Sequence, residues 1–214
     1  LVEPIQALID AGTPVIDMDT LIAPLDQMEA MGVLTLIAPD NVFMSQSVVQ
    51  KLATLMGGAG KISHIGGQPG HTGAQARGQG FLNIVAQYPD IEVVDDQPAD
   101  WNVDTAAQLT EAVLNRHPDL KAIFADNDDM ALAARQVVEN AGLGDQVLVG
   151  GVDAASIGLE QAREEIPTFI LADGPAIYNE IDSNPDLATE PWKLSNYGLS
   201  SIPGLLWLEE KFLF

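Results

Sequence analysis

Apolar residues along this chain fall into two alternating patterns. One is the short β-branched run of a buried strand. The other has the three- and four-residue spacing of an amphipathic helix. Residues 147–153, Val-Leu-Val-Gly-Gly-Val-Asp, show the first pattern most clearly. A run of that length reads as a strand buried on both faces of a parallel sheet. Gly150 and Gly151 let the backbone turn sharply at its end, and Asp153 follows. In open α/β sheets the carboxyl ends of the strands form the edge where ligands bind.

The same alternation predicts the rest of the chain. Residues 4–11 have helical spacing and stop at Gly12. Strands are predicted at 13–19 and 33–38, and a helix over 41–56. A strand at 61–65, a Gly-rich loop and a helix over 71–87 come next, with Tyr88-Pro89 ending the helix. A strand at 91–94 leads into a polar loop reaching Trp101. Asp104 or Thr105 is expected to cap a helix that runs to Arg116. A strand at 122–125, a helix over 128–141 and the strand at 147–152 complete the series. Four βα units between residues 42 and 153 are the signature of a parallel sheet with right-handed crossovers. Beyond Asp153, residues 157–165 read as helix and 168–172 as strand. Residues 182–203, rich in Pro, Ser and Asn, read as irregular, and 205–214 as a terminal helix or strand docked by its aromatics.

Composition narrows the function. A chain of 214 residues, 47% hydrophobic, can bury one large core or two smaller ones. Nine Lys and Arg against 31 Asp and Glu give a net charge of −22, which opposes binding to nucleic acid or to an anionic membrane. Cysteine is absent, which excludes disulfides, thiolate metal sites and a cysteine nucleophile. No stretch approaches the roughly 18 apolar residues of a membrane span. No signal-peptide pattern opens the chain. It begins in mid-pattern at Leu1-Val2-Glu3-Pro4-Ile5 and reads as a mature protein or a fragment.

The candidate chemistry lies at strand ends. Asp19, Asn127, Asp153 and Asp173 each follow a predicted strand, and Trp101 sits in the loop after another. Taken singly, an Asp or Asn there is as readily a helix cap. Asp128 and Asp129 read as first-turn residues favoured by the helix dipole. The set suits a polyhydroxyl ligand. Carboxylates accept from adjacent hydroxyls, an amide both donates and accepts, and an indole covers the apolar face of a ring. Catalysis has little support. The three histidines, His64, His71 and His117, are scattered, and no nucleophile elbow, Walker loop or His-Glu-x-x-His occurs. Gly66-Gly67-Gln68-Pro69-Gly70 lacks the lysine and spacing of a phosphate loop. Asp126-Asn127-Asp128-Asp129 resembles half a calcium loop, but Met130 and the helix after it break the pattern. No enzyme activity, metal or cofactor is expected.

Residues 12–19, 38–41, 76–81, 97–101, 124–131 and 149–153 together resemble segments of the periplasmic sugar-binding proteins of the ribose-binding type. Gly12-Thr13-Pro14-Val15-Ile16-Asp17-Met18-Asp19 resembles their Gly-Ile-Pro-Val strand ending in Asp, and Ala38-Pro39-Asp40-Asn41 their first interlobe crossing. Ala76-Arg77-Gly78-Gln79-Gly80-Phe81 resembles a characteristic helix. Gln97-Pro98-Ala99-Asp100-Trp101, then Phe124-Ala125-Asp126-Asn127-Asp128-Asp129-Met130-Ala131, then Val149-Gly150-Gly151-Val152-Asp153 follow in family order. The resemblance covers residues 4–175, and the superfamily includes the effector domains of LacI-type repressors.

The resemblance implies a two-lobed α/β fold of the type I periplasmic-binding-protein class, with three crossings, a hinge and a ligand in the cleft. Residues 1–41 would be the remainder of the N-terminal lobe, 42–173 the C-terminal lobe, and 174–214 the return to the first lobe and a tail. The first lobe would be incomplete. The family opens with strand–helix–strand–helix–strand, on the order of 60–70 residues, before the segment found here. Asp19 is implied as a contact from the first lobe. Trp101 would stack on the sugar, and Asn127 and Asp153 would bond its hydroxyls. Asp173 falls where the family has Gln or Asn. Gln75 stands where ribose binders have an arginine, and Thr20 where they have another. With both forks gone, three carboxylates without a facing arginine favour a donor-rich ligand, a polyol or an amino sugar, over ribose. The implied function is a non-enzymatic solute receptor of an ABC importer. It would be periplasmic or extracellular and monomeric, with a membrane permease as partner. The alternative is a LacI-type effector domain, which needs a DNA-binding segment before residue 1 and is opposed by the −22 charge.

Overall fold

The computed structural model describes residues 1–153 and the backbone of residues 169–172. Asp173, the expected helix at 157–165 and the segments 182–203 and 205–214 lie outside the described residues. The chain divides into two compact units, one containing Leu1–Asp40 and the other beginning at Asn41.

The first unit runs α1 (Val2–Asp10), β1 (Ile16–Met18), α2 (Leu25–Met31) and β2 (Thr35–Ile37). The two strands pair in parallel, Ile16 opposite Thr35. Both fall inside the spans expected from sequence. Helix α2 was not expected. It is only seven residues long and buries only Met28 and Met31, too few apolar positions to show a helical period.

The second unit alternates helix and strand as the pattern predicts. It runs α3 (Asn41–Leu55), β3 (Ala59–Gly66), α4 (Thr72–Val85), β4 (Asp90–Pro98), α5 (Val103–Arg116), β5 (Leu120–Ala125), α6 (Asp128–Asn140), β6 (Leu148–Val152) and β7 (Phe169–Ala172). The five strands form one parallel sheet in the order β4-β3-β5-β6-β7. Successive residues of β5 point to opposite faces, as a strand requires. Ala122 and Phe124 join Val48, Leu52, Ile62 and Phe81 in a core against α3 and α4. Ile123 and Ala125 join Val113, Met130, Ala134 and Val138 in a second core against α5 and α6. Helices α3 and α4 meet closely at Gly80, where a Cβ would lie 2.5 Å from the Val42 carbonyl.

Two sequence expectations change here. Strand β4 continues to Pro98 through residues read as a polar loop. It is an edge strand, so alternate side chains can be acidic without burying charge. An irregularity in its pairing with β3 brings Asp96 opposite His64. Helix α5 starts at Val103, so its cap is Asn102 and not Asp104 or Thr105; Asn102 Oδ1 accepts from the Thr105 N–H at 2.9 Å. Asp104 instead sits in the first turn, where the helix dipole favours a carboxylate.

Candidate functional site

The candidate site is built on the carboxyl ends of β3, β4, β5 and β6. Its central side chain is Arg77, on the second turn of α4. Arg77 donates through Nε to Asn41 Oδ1 at 2.8 Å, through Nη1 to the Asp126 carbonyl, and through Nη2 to Asp153 Oδ1 at 2.7 Å. Its guanidinium lies 5.8 Å from the centroid of the Trp101 ring, within cation–π range. Three of the five N–H donors of the guanidinium are thus committed to fixed partners.

Trp101 is held in an unusual way. The Asn102 N–H bonds the Ala99 carbonyl at 2.8 Å, closing a four-residue turn. Its two central residues, Asp100 and Trp101, have φ of 52° and 61°. Positive φ at both positions is the mark of a type I′ turn, normally filled by Asn and Gly. A left-handed conformation costs an ordinary residue roughly 1–2 kcal/mol. Asp153, at the end of β6, has φ 107°, and Asp19 in the first unit has φ 73°. These four are the non-glycine residues with positive φ among those described, and three of them are residues singled out from sequence. Strained backbone of this kind gathers at functional sites.

The indole lies flat over the β3–α4 loop. A Cβ at Gly67 would come within 2.1 Å of the Trp101 ring, so only glycine permits this approach. His71, the N-cap of α4, meets Trp101 edge-on at 5.5 Å between ring centroids.

The residues expected from sequence divide as follows. Trp101 and Asp153 are both tied to Arg77. Asn127 immediately follows the carbonyl that Arg77 bonds. It also caps α6, its Oδ1 accepting from the Met130 N–H at 3.0 Å, which leaves its amide nitrogen as a donor. Gln75 is exposed and donates to the Pro69 carbonyl at 2.9 Å. Asp19 lies in the first unit, where Thr20 Oγ1 donates to its Oδ2 at 2.9 Å. Asp173 lies outside the described residues.

The sequence marks Arg77 only as part of the helix segment Ala76-Arg77-Gly78-Gln79-Gly80-Phe81. The expectation of carboxylates without a facing arginine is corrected at Asp153. Losing the fork at Gln75 does not leave that carboxylate unaccompanied, because Arg77, two residues further along α4, reaches it. The sequence places His64 in the strand at 61–65, one of three scattered histidines. Its Nδ1 is 2.8 Å from Asp96 Oδ1 and its Nε2 is 3.0 Å from Asp126 Oδ1. Burial opposes a charge on this imidazole, but the hydrogen bonds to Asp126 and Asp96 outweigh it and raise its pKa to about 9. The hydrogen bond to His64 in turn holds the Asp96 carboxyl below its usual range. Asp126 is thereby engaged in the protein's own network. Among the described residues no group of three or more His, Cys, Asp or Glu side chains is arranged to hold a metal ion.

Residues 1–179 match the family described as periplasmic binding protein domain. The chain belongs to that family. It is 31% identical over 170 residues to the ribose import binding protein RbsB of Bacillus subtilis (strain 168), covering 79% of this chain and 52% of that protein. It is 32% identical over 166 residues to the D-allose-binding periplasmic protein of Escherichia coli (strain K12), covering 75% and 50%. Among solved structures it resembles an ABC transporter solute-binding protein from Agrobacterium vitis bound with α-D-tagatopyranose, with a TM-score of 0.70 and 30% identity, covering 79% of this chain and 57% of that one. A Bacillus halodurans C-125 solute-binding protein with bound myo-inositol matches with a TM-score of 0.69 and 28% identity, covering 76% and 55%. The fold is that of the type I periplasmic binding proteins, with parallel sheets flanked by helices. The chain spans about half the length of the curated relatives it matches.

Proposed function

We propose that this periplasmic binding protein domain binds a neutral sugar or polyol and delivers it to an ABC permease from the periplasm or the cell exterior. The observation that carries the reading is the Arg77 hub, which ties Asp153 by a 2.7 Å ion pair and lies over the indole of Trp101. An aromatic face beside a charge-assisted polar pair suits a ring with apolar C–H faces and polar edges. Asp153 would accept hydroxyl hydrogens, the Asn127 amide would donate, and Trp101 would cover one face of the ring. Asp19 from the first unit, Gln75 and Asp173 are proposed as further contacts.

The arginine sharpens the ligand class. Asp153 is compensated by a fixed cation, so a second cation on the ligand would meet Arg77 at close range. An uncharged polyhydroxyl compound therefore fits better than an amino sugar. The relatives support the class: they include binding proteins named for ribose, for D-allose and for xylitol.

Isothermal titration against D-ribose, D-allose, xylitol, myo-inositol and D-glucosamine tests this. At least one neutral compound should bind more tightly than glucosamine, and Trp101→Ala or Asp153→Asn should weaken it at least tenfold. The reading fails if none of the neutral compounds binds, or if both variants bind as the parent does.

A further inference from the structure

His64 is 5% exposed, near the carboxyl end of β3, which lies between β4 and β5. Its ring stacks on Phe81 at 4.8 Å and on Phe124 at 5.4 Å between centroids. Each ring nitrogen faces a carboxylate oxygen, Asp96 at 2.8 Å and Asp126 at 3.0 Å. A neutral imidazole carries one N–H and could satisfy only one of them; the other carboxylate would face a nitrogen lone pair. The geometry therefore calls for the doubly protonated ring.

A buried ion triad is a poor way to stabilise a core. Desolvation consumes most of its Coulombic gain, and an apolar residue packed against Phe81 and Phe124 would serve stability as well. What an apolar residue could not do is hold Asp126 in one orientation. Asp126 is the junction of the candidate site. Its Oδ2 accepts from the Gly67 N–H at 2.7 Å, and Gly67 is the backbone on which Trp101 lies. Its carbonyl accepts from Arg77 Nη1, and Arg77 carries Asp153.

We infer that His64, clamped between Asp96 and Asp126, is a positioning residue for ligand binding: by pinning Asp126 it sets both the Gly67–Trp101 platform and the Arg77–Asp153 pair. The inference rests on the sugar-binding reading for its purpose but is readable without a ligand. The charged groups around the imidazole are Asp96 from β4, Asp126 from the end of β5 and, through the Asp126 carbonyl, Arg77 from α4.

The test compares the parent protein with His64→Phe, His64→Gln and Asp96→Asn. The ligand-free protein carries 5-fluorotryptophan, with Trp101 assigned by loss of its signal in Trp101→Phe. The readouts are the Trp101 fluorine line and the exchange rate of the Arg77 Nε–H. His64→Phe should keep the fold, broaden or shift the Trp101 line and speed Arg77 Nε–H exchange. His64→Gln, which still donates to a carboxylate, should restore part of both. The affinity for the tightest-binding of D-ribose, D-allose, xylitol and myo-inositol should fall roughly tenfold in His64→Phe, as loss of about one good hydrogen bond would give. If His64→Phe does not fold, Asp96→Asn, at a half-exposed position, should move both signals in the same direction. A folded His64→Phe with both signals unchanged, or an unfolded one with an unresponsive Asp96→Asn, overturns the positioning role. Failure of the parent protein to bind any of the four compounds overturns the sugar-binding reading, while the two signals still decide the role of His64.

Discussion

Arg77 and Asp153, 76 residues apart in sequence, form an ion pair of 2.7 Å at the carboxyl edge of the second unit's sheet. The arginine is mostly buried, with 11% of its side chain exposed, and the aspartate is 44% exposed. A fixed cation thus sits behind an accessible anion. The arginine fixes the orientation of the carboxylate from its buried side.

Arg77→Lys should be far from conservative. Lysine supplies a point charge in place of a fork and cannot reach Asn41, the Asp126 carbonyl and Asp153 together. Losing part of this hydrogen-bond set should cost about 2 kcal/mol of stability. Ligand affinity should drop at least tenfold. Urea denaturation and titration calorimetry on the same preparation measure both, and parent-like values for the two would refute the hub.

Gly67→Ala places a methyl group 2.1 Å from the Trp101 ring. The indole must move, because the other side of the contact is backbone. Overpacking of this kind costs roughly 1–3 kcal/mol. Binding should suffer more than folding, since the platform itself is displaced. A crystal structure or the Trp101 fluorescence of the variant would show whether the ring has shifted.

Gly80→Ala is the contrasting case. Its Cβ would meet the Val42 carbonyl at 2.5 Å, in the α3–α4 interface. Stability should fall by roughly 1–3 kcal/mol with the affinity of the folded protein unchanged. Equal losses of affinity in Gly67→Ala and Gly80→Ala would mean that binding simply tracks stability.

Stability should depend on pH through His64. Its pKa is raised from 6.5 to about 9 in the folded protein, so the folded state holds this proton more tightly than the unfolded chain. The resulting stabilisation, on the order of 3 kcal/mol, is complete below the unfolded value and is lost as pH rises through the folded one. Asp96 works in the opposite sense. Its pKa is lowered, so its contribution is present above the ordinary carboxylate range and is lost as pH falls through the folded value. Urea midpoints at pH 6, 8 and 9.5 should decline in the parent and be flatter in His64→Gln. Parallel declines would show that other groups govern the alkaline limb.

Much of this molecule can be read from its residues in order. The β-branched runs at 61–65, 122–125 and 147–152 fall within or closely overlap β3, β5 and β6, and helical spacing between them marks α4, α5 and α6. A strand needs a run of apolar residues and a helix an apolar stripe, and both are properties of neighbours in sequence. For the same reason Trp101, Asn127 and Asp153 stand out as polar or aromatic punctuation at strand ends. Helix α2 and the acidic half of β4 escape such a reading. One is too short to show a period, and the other is an edge strand free of the demand for apolar side chains.

Partnerships escape it altogether. His64 meets Asp96 and Asp126 because β3 lies between β4 and β5, an order that no local pattern records. Arg77 reaches Asp153 because α4 packs on the face of the sheet where β6 ends, two strands away from β3. Periodicity is written by adjacent residues, and so most of the elements of the second unit were legible in the chain. Strand order and register arise from packing two apolar cores against one sheet, and only that packing decided which arginine serves Asp153 and which histidine holds Asp126.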